Sequence, residues 1–486
     1  MGPTPPVAAP GQQIENSDMP TGTVWQPTLD DPGWVWGVTL GELFTDNLKL
    51  APSGKPKQSG WITEIQPFFK AAYRGPHFSG LFNYTLTGYL YKGQSRHNQL
   101  AQNLDARGTL TIVPRHFFLD GSALYGREVV NRQLPAGSGT FFLNNNRANV
   151  AVGMLSPYWL QDFGNVGSMT LRYTRGRVVY NNRGIPTENR TLLNGIPDVT
   201  SNAVQFSVVS PESQTWGWNL GYTEQQLNPD FGSSLTFAVA KLGSSLQVSN
   251  STRLLADVGK ESKFLPDGTV QKLGAPFWEA GFEWSITRNK FRVMAGHRFF
   301  GRSFQLSWTH QASLLTTDLS YVEQPTSYNQ QLLGTNSGTG VTLPINVGPA
   351  IPSLTELQPY LSKRLSASAV YTMPRSTLSV RVYDESRTYF MQNSRRERVA
   401  NAGVSWLFNV GAFTTITPSI DWLRYQFRSG QISYSHYEQL AVVHQINPKN
   451  FGSLQLRHES SKVYSGVPGA HGYNANVIFL QWTHLF

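Results

Sequence analysis

The feature that most constrains this chain is a two-residue alternation of apolar and polar side chains, repeated in short segments. Within residues 202–208, for example, Val204, Phe206 and Val208 share one face, while small or polar residues share the other. Successive side chains of a β-strand point to opposite faces, so a period of two indicates strands. Because such segments follow one another along most of the chain, the sequence predicts an all-β protein.

Composition decides between a soluble β-protein and one that spans a membrane. Only 14% of the residues are charged, against roughly 25% in ordinary soluble proteins, and aromatic residues reach 12%. The mean hydropathy is nevertheless −0.30, and no apolar run reaches the roughly 18 residues of a transmembrane helix. A barrel whose strands turn one apolar face to lipid combines these properties, with Trp and Tyr forming an interfacial girdle. The predicted fold class is a transmembrane antiparallel β-barrel of the bacterial outer membrane.

The connections between the predicted strands alternate in length along the chain. Tight turns such as 74–76 and 447–449 alternate with long connections such as 182–200 and 324–357. Outer-membrane barrels have an even number of strands, short periplasmic turns and long extracellular loops, so we predict about 22 strands, within a range of about 18–22. Apolar residues in 324–357 leave two alternatives for this loop. It folds inward as a constriction of the pore, or it is a disordered outer loop.

The two ends of the chain differ in pattern. Residues 1–33 are rich in Pro and Gly and show no periodicity, which predicts a flexible periplasmic tail before a barrel domain of residues 34–486. The last alternating segment ends in Phe486. Together with Trp482 and His484, this residue resembles the C-terminal signal that the bacterial barrel-assembly machinery reads.

The sequence shows no residue pattern of a catalytic or cofactor site. It has no cysteine, which excludes disulfide scaffolds, thiolate zinc sites and thiol nucleophiles. It also lacks a phosphate-binding Walker loop and the His-Glu-x-x-His pattern of metalloproteases. Its glycine run at 334–340 has no predicted strand before it or helix after it. We therefore predict no enzymatic activity, no cofactor, no metal and no nucleic-acid partner.

Charged residues on the polar face of the predicted strands are the candidates for a solute path through the lumen. Charges of opposite sign on neighbouring strands can form ladders that stiffen the wall. The alternative is a wet lumen that guides a polar solute, in which Arg and Lys favour anions. The basic candidates are Arg107, Arg172, Arg292, Arg298, Arg364, Arg381, Arg387 and Arg457, and the acidic candidates are Asp105, Glu279, Glu283, Asp318, Glu385 and Glu459, with Glu64 and Asp120 on the same face.

Three stretches carry a resemblance to a known family. They are FTDNLKLAP at 44–52, PFWEAGFEW at 276–284 and HRFFGRSFQLS at 297–307. They resemble the PEP-CTERM-system-associated outer-membrane protein family, and the likeness extends from Trp34 to about Glu323. Such proteins are similar to barrels found beside exosortase and exopolysaccharide genes in Gram-negative bacteria. The resemblance implies a porin-type conduit for a secreted polysaccharide, paired with a periplasmic polysaccharide-export protein, and it implies no catalytic residues.

The function predicted from these observations is export of an exopolysaccharide through a wide outer-membrane barrel. Two alternatives remain open, namely a general or nutrient-uptake diffusion porin, and a barrel scaffold that houses a partner subunit. The formal net charge of +10 favours an acidic polymer. Expected partners are membrane lipid, the polysaccharide, the assembly machinery and lipopolysaccharide, whose phosphates Arg395 and Arg396 are placed to contact from an outer loop.

Overall fold

The computed structural model of this chain is a closed antiparallel β-barrel of 22 strands. The fold class and the strand number predicted from the alternation are therefore confirmed. Residues 1–26, most of the predicted tail, lie outside the described residues. The structure describes residues 27–129, 134–143, 146–181, 197–211, 215–333, 358–390, 396–427, 429–464 and 470–486.

The strands are 10 to 17 residues long, and the described residues also contain two short helical turns. A 3-10 turn lies at Ser95–His97 and a short helix, α1, at Tyr328–Leu332. The strands are β1 Gly33–Thr45, β2 Gly60–Arg74, β3 Phe78–Tyr91, β4 Gln99–Val113, β5 Phe117–Val129, β6 Arg147–Asp162, β7 Ser168–Asn181, β8 Val199–Val209, β9 Trp216–Pro229, β10 Leu235–Gln247, β11 Thr252–Phe264, β12 Val270–Ile286, β13 Asn289–Arg298, β14 Gly301–Gln311, β15 Leu315–Thr326, β16 Tyr360–Met373, β17 Ser376–Tyr389, β18 Arg396–Asn409, β19 Thr414–Gln426, β20 Ile432–Asn447, β21 Asn450–Tyr464 and β22 Tyr473–Leu485.

Each strand pairs with its neighbours in sequence, and the last strand closes the barrel on the first. In that seam Gly37 lies opposite Leu485, and Thr45 lies opposite Val477. Closure leaves no unpaired strand edge in the sheet. Register shifts occur in the β4–β5, β11–β12 and β20–β21 pairs, close to strand ends. The inside–outside alternation is therefore unbroken through the middle of the wall.

The outward face of the wall carries the large apolar side chains. Trp34, Leu242, Trp278 and Leu480 are each more than half exposed, which is the surface that lipid would cover. Among the described residues, no helix combines the length and apolar character needed to cross a membrane.

The two ends of the barrel differ in the length of their connections. At the end that holds both termini, tight turns such as 287–288 and 374–375 join the strands. At the opposite end, connections reach the length of 46–59 and 327–359. We call these the short-turn end and the long-loop end. In outer-membrane barrels the first faces the periplasm and the second faces the outside of the cell.

Candidate functional site in the barrel lumen

A segment between β5 and β6 lies inside the barrel at the long-loop end. This segment, residues 134–143, is called inner segment 1. Its Phe141 is fully buried, and the Phe141 ring lies 5.4 Å from that of Phe479 on β22 and 6.4 Å from that of Tyr89 on β3. The hydroxyl of Tyr91 donates a hydrogen bond to the Phe141 carbonyl at 2.5 Å. A segment that leaves β5 and reaches β22 has crossed the inner face of the four strands between them, β1 to β4.

Two of the predicted lumen charges hold this segment in place. The Ser138 backbone N–H donates to Glu459 Oε2 at 3.0 Å, and the Ser138 hydroxyl donates to the same carboxylate. Arg457 Nη1 in turn donates to Ser138 Oγ at 2.6 Å. Both Arg457 and Glu459 are buried. They anchor the segment in the described structure.

A second segment, residues 327–333 with helix α1, also lies inside the barrel and is called inner segment 2. Gln330 Nε2 donates to Gln225 Oε1 on β9 at 2.8 Å, and Gln331 Nε2 donates to the Tyr360 hydroxyl on β16 at 2.8 Å. Strands β9 and β16 are seven strands apart, so a five-residue helix that touches both must lie in the lumen.

Apolar packing fixes inner segment 2 against the wall. Its Leu332 and Leu333 are buried in a cluster that includes Val178 on β7, Leu227 on β9 and Phe264 on β11. The segment begins the loop for which the sequence left two alternatives. Its described part folds inward, and residues 334–357 lie outside the described residues.

The wall of β16 and β17 holds a buried cluster of charges at the same height. The Glu385 carboxylate is fully buried and accepts hydrogen bonds from Ser362 at 2.5 Å and Tyr383 at 2.7 Å. It also pairs with Arg364 at 3.0 Å and Arg387 at 2.7 Å. A buried carboxylate is tolerated only when it is paired and hydrogen-bonded in this way. The predicted lumen residues of this cluster therefore hold the wall together.

A similar arrangement surrounds Arg298 on β13. Its guanidinium binds the buried Glu261 carboxylate of β11, including an Nε–Oε2 contact of 3.1 Å, and lies over the rings of Phe277 and Phe300 at 5.7 and 5.3 Å. Glu279 accepts hydrogen bonds from other wall residues close by. Sequence reasoning missed Glu261, although its parity along β11 could have found it.

Ion pairs with at least one partly exposed side chain line the lumen at and below mid-height. The most open of them joins Arg381 Nη2 to Asp421 Oδ1 at 2.8 Å, with side chains 48% and 23% exposed. The sequence analysis also missed Asp421, although the alternation of side chains along β19 places it on the inward face. Because the charges are paired within this chain, they offer a solute hydrogen bonds more than a net field. The other mid-lumen pairs are Arg107–Asp105 at 2.6 Å, Arg172–Asp120 at 2.7 Å and Lys241–Asp257 at 3.5 Å.

Towards the short-turn end the lumen charges are more open. Arg292 and Asp318 are exposed, and neither makes an ion pair with a described residue. Glu283, directly opposite Arg292 in the register, pairs instead with Lys290 at 3.6 Å.

The strand register places every charged residue proposed for the solute path on the inward face. Burial divides this set. Most of the buried members lie near the long-loop end, where they hold inner segment 1 or the wall. Glu279 and Asp120, at mid-height and below, are buried as well. A role in solute passage stays a prediction for the accessible residues, which are Arg107, Arg172, Arg292, Arg381, Asp105, Glu283 and Asp318.

The C-terminal residues proposed as an assembly signal lie on the outward face beside the seam. The Phe486 ring stacks on Trp36 of β1 at 4.2 Å, and the Phe486 N–H donates to the Trp36 carbonyl at 3.1 Å. Trp482 and His484 stack at 5.7 Å in the same row. Recognition by the assembly machinery stays a prediction.

Comparison with known proteins shows similarity of fold. No protein-family model matches this chain, and no curated protein sequence matches it. The FrpB iron transporter from Neisseria meningitidis is similar over 93% of this chain and 82% of its own, with 10% identity and a TM-score of 0.51. Its apoprotein form gives a TM-score of 0.52 at 10% identity over 93% of this chain and 81% of its own. The siderophore receptor PirA from Acinetobacter baumannii has 7% identity over 96% of this chain and 81% of its own, with a TM-score of 0.48.

These similarities, with the closed barrel, place the chain among the outer-membrane β-barrels of bacteria. The FrpB structure is described as an iron transporter, and the absence of enzymatic activity in this chain stays a prediction. Membership of the PEP-CTERM-associated family stays a prediction, because nothing in the comparisons bears on it.

The prediction of exopolysaccharide export is wrong. The solved FrpB structure that shares the barrel is described as an iron transporter and not as a polysaccharide exporter. The predicted polysaccharide substrate and periplasmic export partner depended on the export prediction and are therefore unsupported too. The lumen also gives a physical reason, since two inner segments occupy its long-loop half, where an exported polymer would need an uninterrupted bore.

Proposed function

We propose that this barrel takes up a small polar nutrient across the outer membrane, from the long-loop end to the short-turn end. The observation that carries the proposal is the pair of inner segments that lie in the lumen, held by Ser138–Glu459 and by Gln330–Gln225. A barrel of 16–18 strands already encloses an aqueous channel. One of 22 strands therefore has room for segments of its own chain and for a narrow passage beside them.

The chemistry of the accessible wall supports a polar, hydroxyl-bearing or zwitterionic solute. Arg381 with Asp421, and Arg107 with Asp105, present a donor and an acceptor side by side. Contacts of this kind are individually weak in a wet lumen. Weak, repeated contacts allow a solute to enter without being trapped, which is the general condition for conduction.

The direction of transport rests on the fold comparison. The FrpB protein is described as an iron transporter, and a barrel of the same architecture makes uptake the natural direction here. At 10% identity the likeness does not extend to the cargo, so iron is not assigned to this chain.

A second, separate proposal concerns the stretches that resemble the PEP-CTERM-associated family. We propose that they reflect how the barrel is built. Its stretch at 44–52 includes Leu48 and Leu50, which are buried beside Phe141 of inner segment 1. The Leu143 N–H of that segment donates to the Leu48 carbonyl at 2.9 Å. These contacts support the view that the shared stretches report how the barrel is built, whatever its solute.

Liposome swelling tests the uptake proposal. The full chain is reconstituted into liposomes, and the swelling rate is compared for a monosaccharide, a zwitterionic amino acid and a long oligosaccharide. Protein denatured before reconstitution is the control. We expect swelling with the two small solutes and little with the oligosaccharide. Equal rates for all three solutes, or no swelling with any of them, would contradict the proposal.

A further inference from the structure

The outward face of β11 to β14 carries a group of basic side chains near the long-loop end. The register aligns Val258, Trp278, His297 and Arg302 in one row across these four strands. Lys260 lies two residues beyond Val258 on β11, on the same face and nearer the long loops. Neighbouring strands lie about 4.8 Å apart, so three steps separate β11 from β14, and the long Lys260 and Arg302 side chains can reach towards one ligand above this row.

The position of this row marks the edge of the lipid-facing belt. On the side towards the short-turn end, the outward face continues as Phe282 on β12, Val293 on β13 and Leu306 on β14. Trp278 is 55% exposed in the row itself. Exposed Trp residues of membrane proteins concentrate at the height of the headgroups. The basic side chains therefore lie where the outer leaflet places its phosphates.

The three basic groups are available to a ligand. Lys260, His297 and Arg302 are exposed, and none of them makes a hydrogen bond or ion pair with a side chain that the structure describes. The closest outward carboxylate in the register, Glu323, is already engaged by Lys363 at 3.1 Å and by the Tyr321 hydroxyl at 2.6 Å. The positive charge of the row is thus not compensated by the protein.

We propose that Lys260, His297 and Arg302, with Trp278, form a binding site for the phosphate of an anionic glycolipid in the outer leaflet. Arg offers a planar fork and Lys a compact charge to phosphate oxygens. The Trp278 ring would lie beside the sugar or the first acyl carbons. This proposal is independent of what passes through the lumen.

Binding to a protein freed of cellular lipid tests the site. The chain is refolded in detergent from urea, and heat-modifiable mobility on a gel verifies folding. Affinity is then measured for bisphosphorylated lipid A, for the same lipid without phosphates, and for inorganic phosphate. The variant K260Q/H297Q/R302Q is compared with R115Q/R288Q, which removes exposed basic residues from the short-turn end.

We expect the phosphorylated lipid to bind, and the site variant to bind it about twenty-fold more weakly, since each basic group near a membrane surface contributes a few-fold. The short-turn variant should bind like the parent chain. The proposal fails if the site variant keeps full affinity, if the lipid without phosphates binds equally well, or if inorganic phosphate binds as tightly as the lipid.

Discussion

The two halves of the lumen use the same residue types for different purposes, and strand β17 contains both cases. Glu385, near the long-loop end, is fully buried in a cluster with Arg364 and Arg387. Arg381 lies on the same face four residues away, and its pair with Asp421 is open to the lumen. On this strand, the charged residue nearer the long-loop end holds the structure, and the one at mid-height is open to the lumen. The alternation that places both inside the barrel carries no information about height.

The largest effect we expect comes from removing the buried carboxylate. In Glu385→Gln, Arg364 and Arg387 keep buried charges without a counter-ion, and we expect a loss of roughly 3–5 kcal/mol in the free energy of unfolding. The matched change in the open half, Asp421→Asn, should cost about 1 kcal/mol or less. Urea unfolding followed by tryptophan fluorescence measures both. Equal losses would remove the distinction between the halves.

Release of inner segment 1 tests whether the long-loop half of the lumen limits the passage of ions. In Ser138→Ala, the hydroxyl that links Arg457 and Glu459 is lost, so the segment should leave the wall part of the time. We expect a higher and noisier single-channel conductance than in the parent chain. Ser419→Ala removes another inward hydroxyl and serves as the control. A conductance unchanged by Ser138→Ala would show that the segment does not limit passage.

Ion selectivity tests the open half on its own. Because the mid-lumen charges are paired and the exposed Arg292 and Asp318 carry opposite signs, we expect the reversal potential in a salt gradient to be close to zero. Arg381→Gln leaves the Asp421 carboxylate uncompensated in the lumen and should shift selectivity towards cations, whereas Asp421→Asn should shift it towards anions. Arg398→Gln, which alters an outward-facing pair with Asp384, should change nothing. A strong selectivity in the parent chain would contradict the paired-charge description.

The smallest effect concerns the seam at the long-loop end. Burial raises the pKa of the Asp46 carboxyl, but hydrogen bonds from the Asn476 N–H and side chain and from Lys57 outweigh it and hold the pKa below 3.8. A folded-state pKa below the unfolded value adds stability above the unfolded pKa, and this stability is lost as pH falls through the folded pKa. We therefore expect Asp46→Asn to be slightly destabilising at pH 7 and neutral well below pH 3.8, as measured by unfolding at both pH values. A pH-independent difference would exclude this linkage.

The sequence was sufficient to predict the wall of the barrel. The strand number and the inward set of charges follow from a period of two and from alternating loop lengths. Both patterns are local, because each is set by residues that are close together in the sequence. The register shifts, such as that between Glu261 and Lys263, lie close to strand ends and leave the mid-wall parity intact. For this reason, residues as distant as Asp105 and Arg457 were assigned to the correct face.

The contents of the lumen could not be predicted in the same way. Ser138 meets Glu459 across 321 positions of sequence, and inner segment 1 has no periodicity to indicate its position. The sequence of 324–357 shows a loop with apolar residues, but nothing in it indicates the partners on β7 and β9 of its described residues 327–333. Of the predicted lipopolysaccharide contacts, Arg395 lies outside the described residues, and Arg396 begins β18. The export prediction came from a resemblance in stretches that lie in strands and in their connections, and we attribute these stretches to barrel construction and not to the cargo.

Exclusion of polymers from the single channel is the most direct test of the central claim, that two inner segments narrow this lumen to a passage for small polar solutes. Conductance of the purified chain in a planar bilayer is measured while polyethylene glycols of increasing size are added. The account predicts that only the smallest polymers enter and lower the conductance. A conductance lowered equally by large polymers would mean an open bore, and would contradict it.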